Sequence, residues 1–145
     1  MSKKISTIFL SLFLVGILSV SCSNKDTTDP KGIEQYNGNI YVSTQSFDLS
    51  KIDLFGKGYE NAYMWVSIQD SQIGIFPSKD NNTEPVYQGY FPVTGSGTDY
   101  SFSVNNGGVV GTLQFSSDGS SVTVNFTKNT VMPSIENTDI VCNKK

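Results

Sequence analysis

62-AYMWVSIQDSQIGI-75 carries the clearest structural signal in this chain. The first half of this stretch has an apolar residue at every second position: Ala62, Met64, Val66 and Ile68. Because successive side chains of a strand point to opposite faces of a sheet, this period of two predicts a β-strand with one apolar face. Asp70 and Ser71 then predict a turn, and Ile73 and Ile75 continue the pattern in a second strand. The stretch is therefore expected to form an antiparallel hairpin.

The same alternation recurs along the chain, and glycine-rich breaks separate the apolar runs. Further strands are predicted near residues 40–42, 86–93, 100–104, 109–115, 122–126 and 140–142. A change of phase at Ser50 and Lys51 predicts a bulge or corner within residues 47–54. The pattern indicates an all-β domain, specifically a small antiparallel up-and-down barrel of about eight strands. A two-sheet β-sandwich is the alternative.

The N-terminus has the pattern of a secretory signal. Lys3 and Lys4 precede an apolar run over residues 5–20, followed by small residues. A transmembrane helix is the alternative, since crossing a bilayer takes about 20 apolar residues. Residues 18–23, LSVSCS, resemble a bacterial lipobox, which implies cleavage after residue 21 and lipidation of Cys22. We therefore expect a signal peptide at 1–21, a polar tether at 22–32 and one domain at 33–145.

Two short patterns in the tether point to the bacterial surface. Lys25 and Asp26 resemble the charged export signal of surface lipoproteins in Bacteroidota, and Asp26, Thr27 and Thr28 resemble an O-glycosylation acceptor in that phylum. The resemblance implies a lipoprotein anchored to the outer membrane by fatty acyl chains such as palmitate and exposed on the cell surface. It also marks Thr27 as a glycosylation site. A solvated tether rich in Asp and Thr explains the same residues.

The charged residues restrict the chemistry that the domain can perform. The full chain has 10 basic residues, all of them lysines, against 13 acidic residues, and it has no histidine. An acidic chain does not suit nucleic acid, and a Ser-His-Asp triad cannot form. With Cys22 acylated, Cys142 has no disulfide partner, and we interpret it as a buried core thiol. We expect no enzyme activity, no cofactor and no bound metal.

The aromatic residues suggest a binding site. If Met64 and Val66 face the core, the side chains between them face outward, together with tyrosines of a later strand. The candidate ligand-binding residues are Tyr63, Trp65, Tyr87 and Tyr90, and we call them the outer aromatic face. Exposed Trp and Tyr side chains would stack on a glycan or a peptide. The alternative is that Trp65 lies in the core and Met64 is half exposed.

A family resemblance offers a second functional class. The opening 36-YNGNIYV-42 and the hairpin over residues 111–127, which turns at Asp118 and Gly119, resemble the calycin-like and lipocalin-like barrel domains of Bacteroidota lipoproteins. That resemblance implies a small hydrophobic ligand in the lumen or a partner at the mouth. The Gly-x-Trp signature of lipocalins is missing from the first strand. The hypotheses are thus a binding module for glycan, peptide or protein, a carrier, or a structural or adhesion subunit.

Overall fold

The computed structural model describes residues 30–145, and the regular structure of this range is mostly β. Within it, eight strands follow in chain order: β1 Ile40–Phe47, β2 Ala62–Gln69, β3 Gln72–Ser78, β4 Thr94–Ser96, β5 Asp99–Val104, β6 Val109–Phe115, β7 Ser121–Asn129 and β8 Asp139–Lys144. Short 3-10 turns lie at Ile33–Tyr36, Asn105–Gly107 and Pro133–Ile135. No helix in this part of the chain has the length and apolar character needed to span a membrane. The predicted signal peptide, Cys22 and Thr27 lie outside the described residues.

The strands form one antiparallel sheet with the order β3-β2-β1-β8-β7-β6-β5-β4. Strands that follow each other in the chain are paired in the sheet, except that β3 and β4 are separated and β1 pairs with β8. The sheet is strongly curled into a half-barrel. The predicted all-β, lipocalin-like architecture is thus confirmed, and the sandwich alternative is wrong because a single sheet surrounds the core.

The concave face of the sheet holds the core. Met64 and Val66 of β2 are fully buried there, and they pack in one cluster with Leu113 of β6 and Val124 of β7. The odd-numbered residues of β2 point to the convex face, as the period of two predicts. Residues 31–145 form one compact unit that contains this whole cluster, so the domain carries its own hydrophobic core.

The β2–β3 hairpin forms as its sequence predicts. Gln69 pairs with Gln72, so Asp70 and Ser71 alone make the turn. Their φ angles are 50° and 62°. Two positive φ angles in a two-residue loop match the right-handed twist of the flanking strands. Asn37 fixes the turn further, because its side-chain oxygen accepts a hydrogen bond of 3.0 Å from the Ser71 amide.

Two predictions about the strands need correction. Of the predicted bulge or corner at Ser50 and Lys51, the structure has the corner: both residues lie in a turn after β1, where the Asp48 carboxylate accepts hydrogen bonds from the Ser50 amide (3.0 Å) and hydroxyl (2.6 Å). Residues 86–93 contain no regular strand, and only Phe91 forms a bridge, to Ile73. Prolines at 85 and 92 have no N–H group to donate to a strand ladder, which explains the short pairing.

One end of the half-barrel is closed by aromatic packing. The Tyr36 ring stacks on Phe115, with centroids 3.8 Å apart and planes inclined by 8°. The Tyr36 hydroxyl donates a hydrogen bond of 3.1 Å to the Gly97 carbonyl. The Gly97 amide donates a bond of 2.8 Å to the carbonyl of Lys31. The chain therefore enters the domain at this closed end.

Candidate functional site

The outer aromatic face lies where it was predicted, but its side chains are not exposed as predicted. Tyr63 and Trp65 lie on the convex face of β2, on the side opposite Met64. Tyr63 is half-buried, and Trp65 has only 2% of its surface exposed. The expectation of an exposed indole is therefore wrong. The alternative is right that Trp65 is buried, although the indole lies outside the main core cluster, and it is wrong that Met64 is half exposed, since Met64 is fully buried.

Residues 79–90, which we call the covering segment, bury Trp65. This segment leaves β3 and returns across the convex face of β2 and β3. The Trp65 Nε1–H donates a hydrogen bond of 3.1 Å to the backbone carbonyl of Asp80. The Lys145 ammonium lies 5.9 Å from the centroid of the indole ring. The side chain that was expected to contact a ligand contacts its own chain instead.

Tyr87 and Tyr90 of the covering segment pack on the same face. Their ring centroids are 5.5 Å apart, and the Tyr90 hydroxyl donates a bond of 3.2 Å to Ser67 Oγ. Both rings lie against Gly74, where an added Cβ would stand 2.9 Å from Tyr87 Cδ1. Burial raises the pKa of the Tyr87 phenol. The structure therefore places Tyr63 and Trp65 on the same face as Tyr87 and Tyr90, where the two later tyrosines pack on each other, and Tyr90 also lines the cavity described next.

A cavity of about 390 Å³ lies at the other end of the half-barrel, where β1, β3, β5 and β7 end. Aromatic side chains make up much of its wall: Phe55, Phe76, Tyr90, Phe91, Phe102 and Phe126. Leu54, at 65% exposure, stands at its rim. No charged residue is found among the described residues that line it. The cavity is thus an apolar site with few polar groups.

The cavity exists because the sheet does not close beside β3. Ile73 and Phe91 exchange two backbone hydrogen bonds of 2.9 Å each, and the pairing then stops. Further along β3, Ile75 and Pro77 line the cavity instead of pairing with residues 88–90. Pro77 has no N–H to donate, so it ends the free edge of the strand. The separated edges of the sheet leave room for a ligand.

The cavity also holds a buried polar side chain, Asn129 of β7, which is 0% exposed. A register shift in the β6–β7 pairing places it there. Val110 pairs with Lys128, whereas Gly111 pairs with Phe126, so Thr127 is an extra residue in β7. A one-residue bulge exchanges the two faces of a strand. Lys128 therefore points to solvent, and Asn129 points inward.

Hydrogen bonds fix the orientation of the Asn129 amide. Its Oδ1 accepts bonds from the amides of Val131 (3.1 Å) and Met132 (2.8 Å). Its backbone N–H donates to the Glu136 carboxylate. The side-chain nitrogen, Nδ2, is buried and has no acceptor among residues 30–145. Nδ2 is thus an unpaired hydrogen-bond donor of a residue that lines an apolar cavity.

Other reactive groups of the domain do not form a site. Cys142 is fully buried, and burial raises the pKa of its thiol to about 12, so it remains protonated at neutral pH. Within residues 30–145, no group of three or more Asp, Glu, Cys or His side chains is placed to hold a metal ion.

Sequence reasoning missed Asn129. The alternation of Val122, Val124 and Phe126 places residue 128 on the inner face, and only the bulge reverses this parity. Neither residue 127 nor its neighbours carry a glycine or proline that would have marked the bulge.

Comparison with known proteins gives no match: no family model, no curated protein and no solved structure matches this chain.

Proposed function

We propose that this protein is a lipid-anchored binding protein of the bacterial outer surface that takes up a small apolar molecule in the cavity. The observation that carries the proposal is the cavity itself. Its volume of about 390 Å³ falls within the range of roughly 300 to 1,000 Å³ found for ligand sites. Its wall combines apolar side chains with one buried amide, the usual composition of a site that binds and orients a small molecule.

The outer aromatic face gives less support to the glycan or peptide hypothesis. A stacking site needs an accessible ring surface, but the Trp65 indole is covered and the Tyr87 and Tyr90 rings pack on Gly74. Binding a sugar there would require the covering segment to leave. We therefore prefer a carrier of lipocalin-like architecture to a surface contact module or an adhesion subunit.

The position of the cavity suits a tethered protein. Lys31, where the tether is expected to join, bonds to Gly97 at the closed end of the half-barrel. The cavity lies at the opposite end, where the odd-numbered strands terminate. In the proposed lipoprotein, acylation at Cys22 would hold the chain at the membrane while the cavity remains accessible. We propose binding and not catalysis, because the chain has no histidine and its one unacylated thiol is buried.

Binding of an uncharged solvatochromic dye tests the proposal. 4-(Dimethylamino)benzonitrile, which is small enough for the cavity, would be titrated into the domain of residues 31–145 and into two variants that each add an indole. In Val131→Trp the new ring occupies part of the cavity, since Val131 lines its wall. In Val141→Trp, the matched control, the ring lies on β8 at a position that is 40% exposed.

We expect the dye to bind the wild-type domain and Val141→Trp with similar affinity, and to bind Val131→Trp at least tenfold more weakly. The absence of dye binding to the wild-type domain would contradict the proposal. Equal affinity for both variants would also contradict it, because the dye would then lie elsewhere. Circular dichroism of all three proteins checks that the variants keep the β fold.

A further inference from the structure

We propose that Asn129 selects the ligand: the cavity takes an uncharged molecule whose single hydrogen-bond acceptor, such as a ketone, ester or amide carbonyl, binds Asn129 Nδ2. The inference rests on the proposed function, since it assumes that the cavity binds a ligand. It goes further by naming the chemical class and the atom that recognises it. Four observations carry it: the direction of the amide, its burial, the charge around it and the size of the space.

The direction of the amide is fixed by its partners. Oxygen and nitrogen of an Asn side chain are assigned from the hydrogen-bond network. Oδ1 has to be the atom that faces the Val131 and Met132 amides, because two N–H donors can bond only to an acceptor. Nδ2 is consequently the unpaired polar atom of this side chain, so Asn129 can offer a ligand only a donor. A ligand group has to supply the acceptor.

The burial of Nδ2 makes such an acceptor favourable. Most buried polar groups in folded proteins have a hydrogen-bond partner, and an unpaired one destabilises the fold. Here the bulge at Thr127 turns Asn129 inward and exposes Lys128, although the unbulged register would bring Lys128 to the inner face. Bulges that re-aim a side chain are common beside functional sites. A ligand carbonyl that displaces the side chains covering Nδ2 would pair with this buried donor.

The charge around Asn129 favours a neutral ligand. The described lining residues include no lysine that would balance a carboxylate. The Glu136 carboxylate accepts a hydrogen bond from the Asn129 backbone amide, so the charge beside Asn129 is negative. Moving an anion from water into this apolar wall would cost free energy without an ionic partner to offset it. Fatty-acid anions are therefore a poor match, whereas an uncharged carbonyl compound fits.

The size of the cavity limits the ligand. If a methylene-sized group fills roughly the 30 Å³ that a water molecule occupies in the liquid, a volume of about 390 Å³ accommodates on the order of 13 non-hydrogen atoms. The many aromatic side chains in the wall suit a flat or ring-containing body. An aryl ketone with a short alkyl chain combines these properties in an available probe.

Three probes that share one carbon skeleton separate the contributions. Butyrophenone is neutral and has a carbonyl acceptor, butylbenzene is neutral without one, and 4-phenylbutyrate is an anion. Their dissociation constants would be measured by displacement of 4-(dimethylamino)benzonitrile from the domain, from Asn129→Ala and from Asn143→Ala. The last variant is the matched control, because it removes the same amide group at an exposed position of β8 that does not line the cavity.

One hydrogen bond to a buried donor predicts that butyrophenone binds the wild-type domain roughly 3- to 10-fold more tightly than butylbenzene. 4-Phenylbutyrate should bind most weakly. Asn129→Ala should bind butyrophenone and butylbenzene alike, and Asn143→Ala should keep the wild-type preference. If Asn129→Ala does not fold, NMR of the wild-type domain provides the test. The Nδ2–H resonances of Asn129 should shift downfield with butyrophenone and not with butylbenzene.

The alternative outcomes overturn different parts of the reasoning. Equal binding of the ketone and the hydrocarbon to the wild-type domain, without a shift of the Nδ2–H resonances, would refute the role of Asn129 and leave the proposed function intact. That result would indicate that Nδ2 bonds only to a buried water. Tightest binding of 4-phenylbutyrate would refute the neutral ligand class. No binding of any probe, together with no binding of 4-(dimethylamino)benzonitrile, would refute both proposals.

Discussion

Replacing Trp65 with alanine should destabilise the domain by about 3 to 5 kcal/mol, the usual cost of removing a buried Trp. The indole is 2% exposed, so almost all of its surface is removed from water on folding. A Trp side chain buries roughly 200 Å², which at about 25 cal/mol per Å² corresponds to about 5 kcal/mol before relaxation. The Nε1–H bond to the Asp80 carbonyl adds about 1 kcal/mol. Some of this loss is recovered if the covering segment collapses onto β2.

Urea unfolding followed by far-UV circular dichroism measures this loss, since Trp65 is the only tryptophan and its removal abolishes intrinsic indole fluorescence. Trp65→Phe is the control. It keeps an aromatic ring but removes the hydrogen bond and part of the buried area, so about 1 to 2 kcal/mol is expected. A loss under about 0.5 kcal/mol in Trp65→Ala, typical of surface positions, would show that the covering segment does not bury the indole.

Three further changes test other parts of the structure. Cys142 should resist alkylation at pH 8 in the folded domain and react after unfolding. Burial raises the pKa of its thiol from 9.0 to about 12, so the unfolded state loses the proton first. The free energy of unfolding should therefore fall as the pH rises from about 9 towards 12. Cys22→Ala should abolish labelling of the full chain by a fatty-acid probe, and undiminished label would exclude acylation at this residue. Gly111→Ala should lower the free energy of unfolding by about 1 to 3 kcal/mol, because the added Cβ would stand 2.6 Å from Phe102 Cζ. Gly89→Ala is the control: an added Cβ there has no atom within 4 Å, so stability should change by less than about 0.5 kcal/mol. Thermal or urea unfolding measures both.

The sequence predicted the fold class because the signals for an antiparallel meander are local. The alternation over residues 62–68 identifies the buried face of β2 without reference to any other strand. The two turn residues Asp70 and Ser71 then set the direction and register of β3. The runs at residues 109–115 and 122–126 work in the same way, and both lie in observed strands.

The surroundings of the outer aromatic face were not predictable from local patterns. Parity correctly indicates that Trp65 points away from Met64, but it gives no information about what lies above the sheet. The covering segment has no periodicity, and its hold on Trp65 depends on a single backbone carbonyl, that of Asp80. Contacts of this kind depend on tertiary structure, so the exposure of the indole was predicted wrongly.

The cavity and its donor were missed for a related reason. Asn129 follows Phe126 by three residues, and an uninterrupted strand would place the two side chains on opposite faces. The extra residue, Thr127, brings them to the same face. Whether a strand contains such a bulge depends on its pairing with β6. The position of the site is therefore a property of the sheet as a whole.

Intermolecular nuclear Overhauser contacts between butyrophenone and the domain test the central claim most directly, since they locate the ligand. The proposed cavity predicts contacts from the aryl or propyl protons to the methyl groups of Val131 and Met132, both of which line the wall. Contacts to Tyr63 and Tyr87 on the convex face, with none to Val131 or Met132, would contradict the account. They would identify the outer aromatic face as the binding site instead.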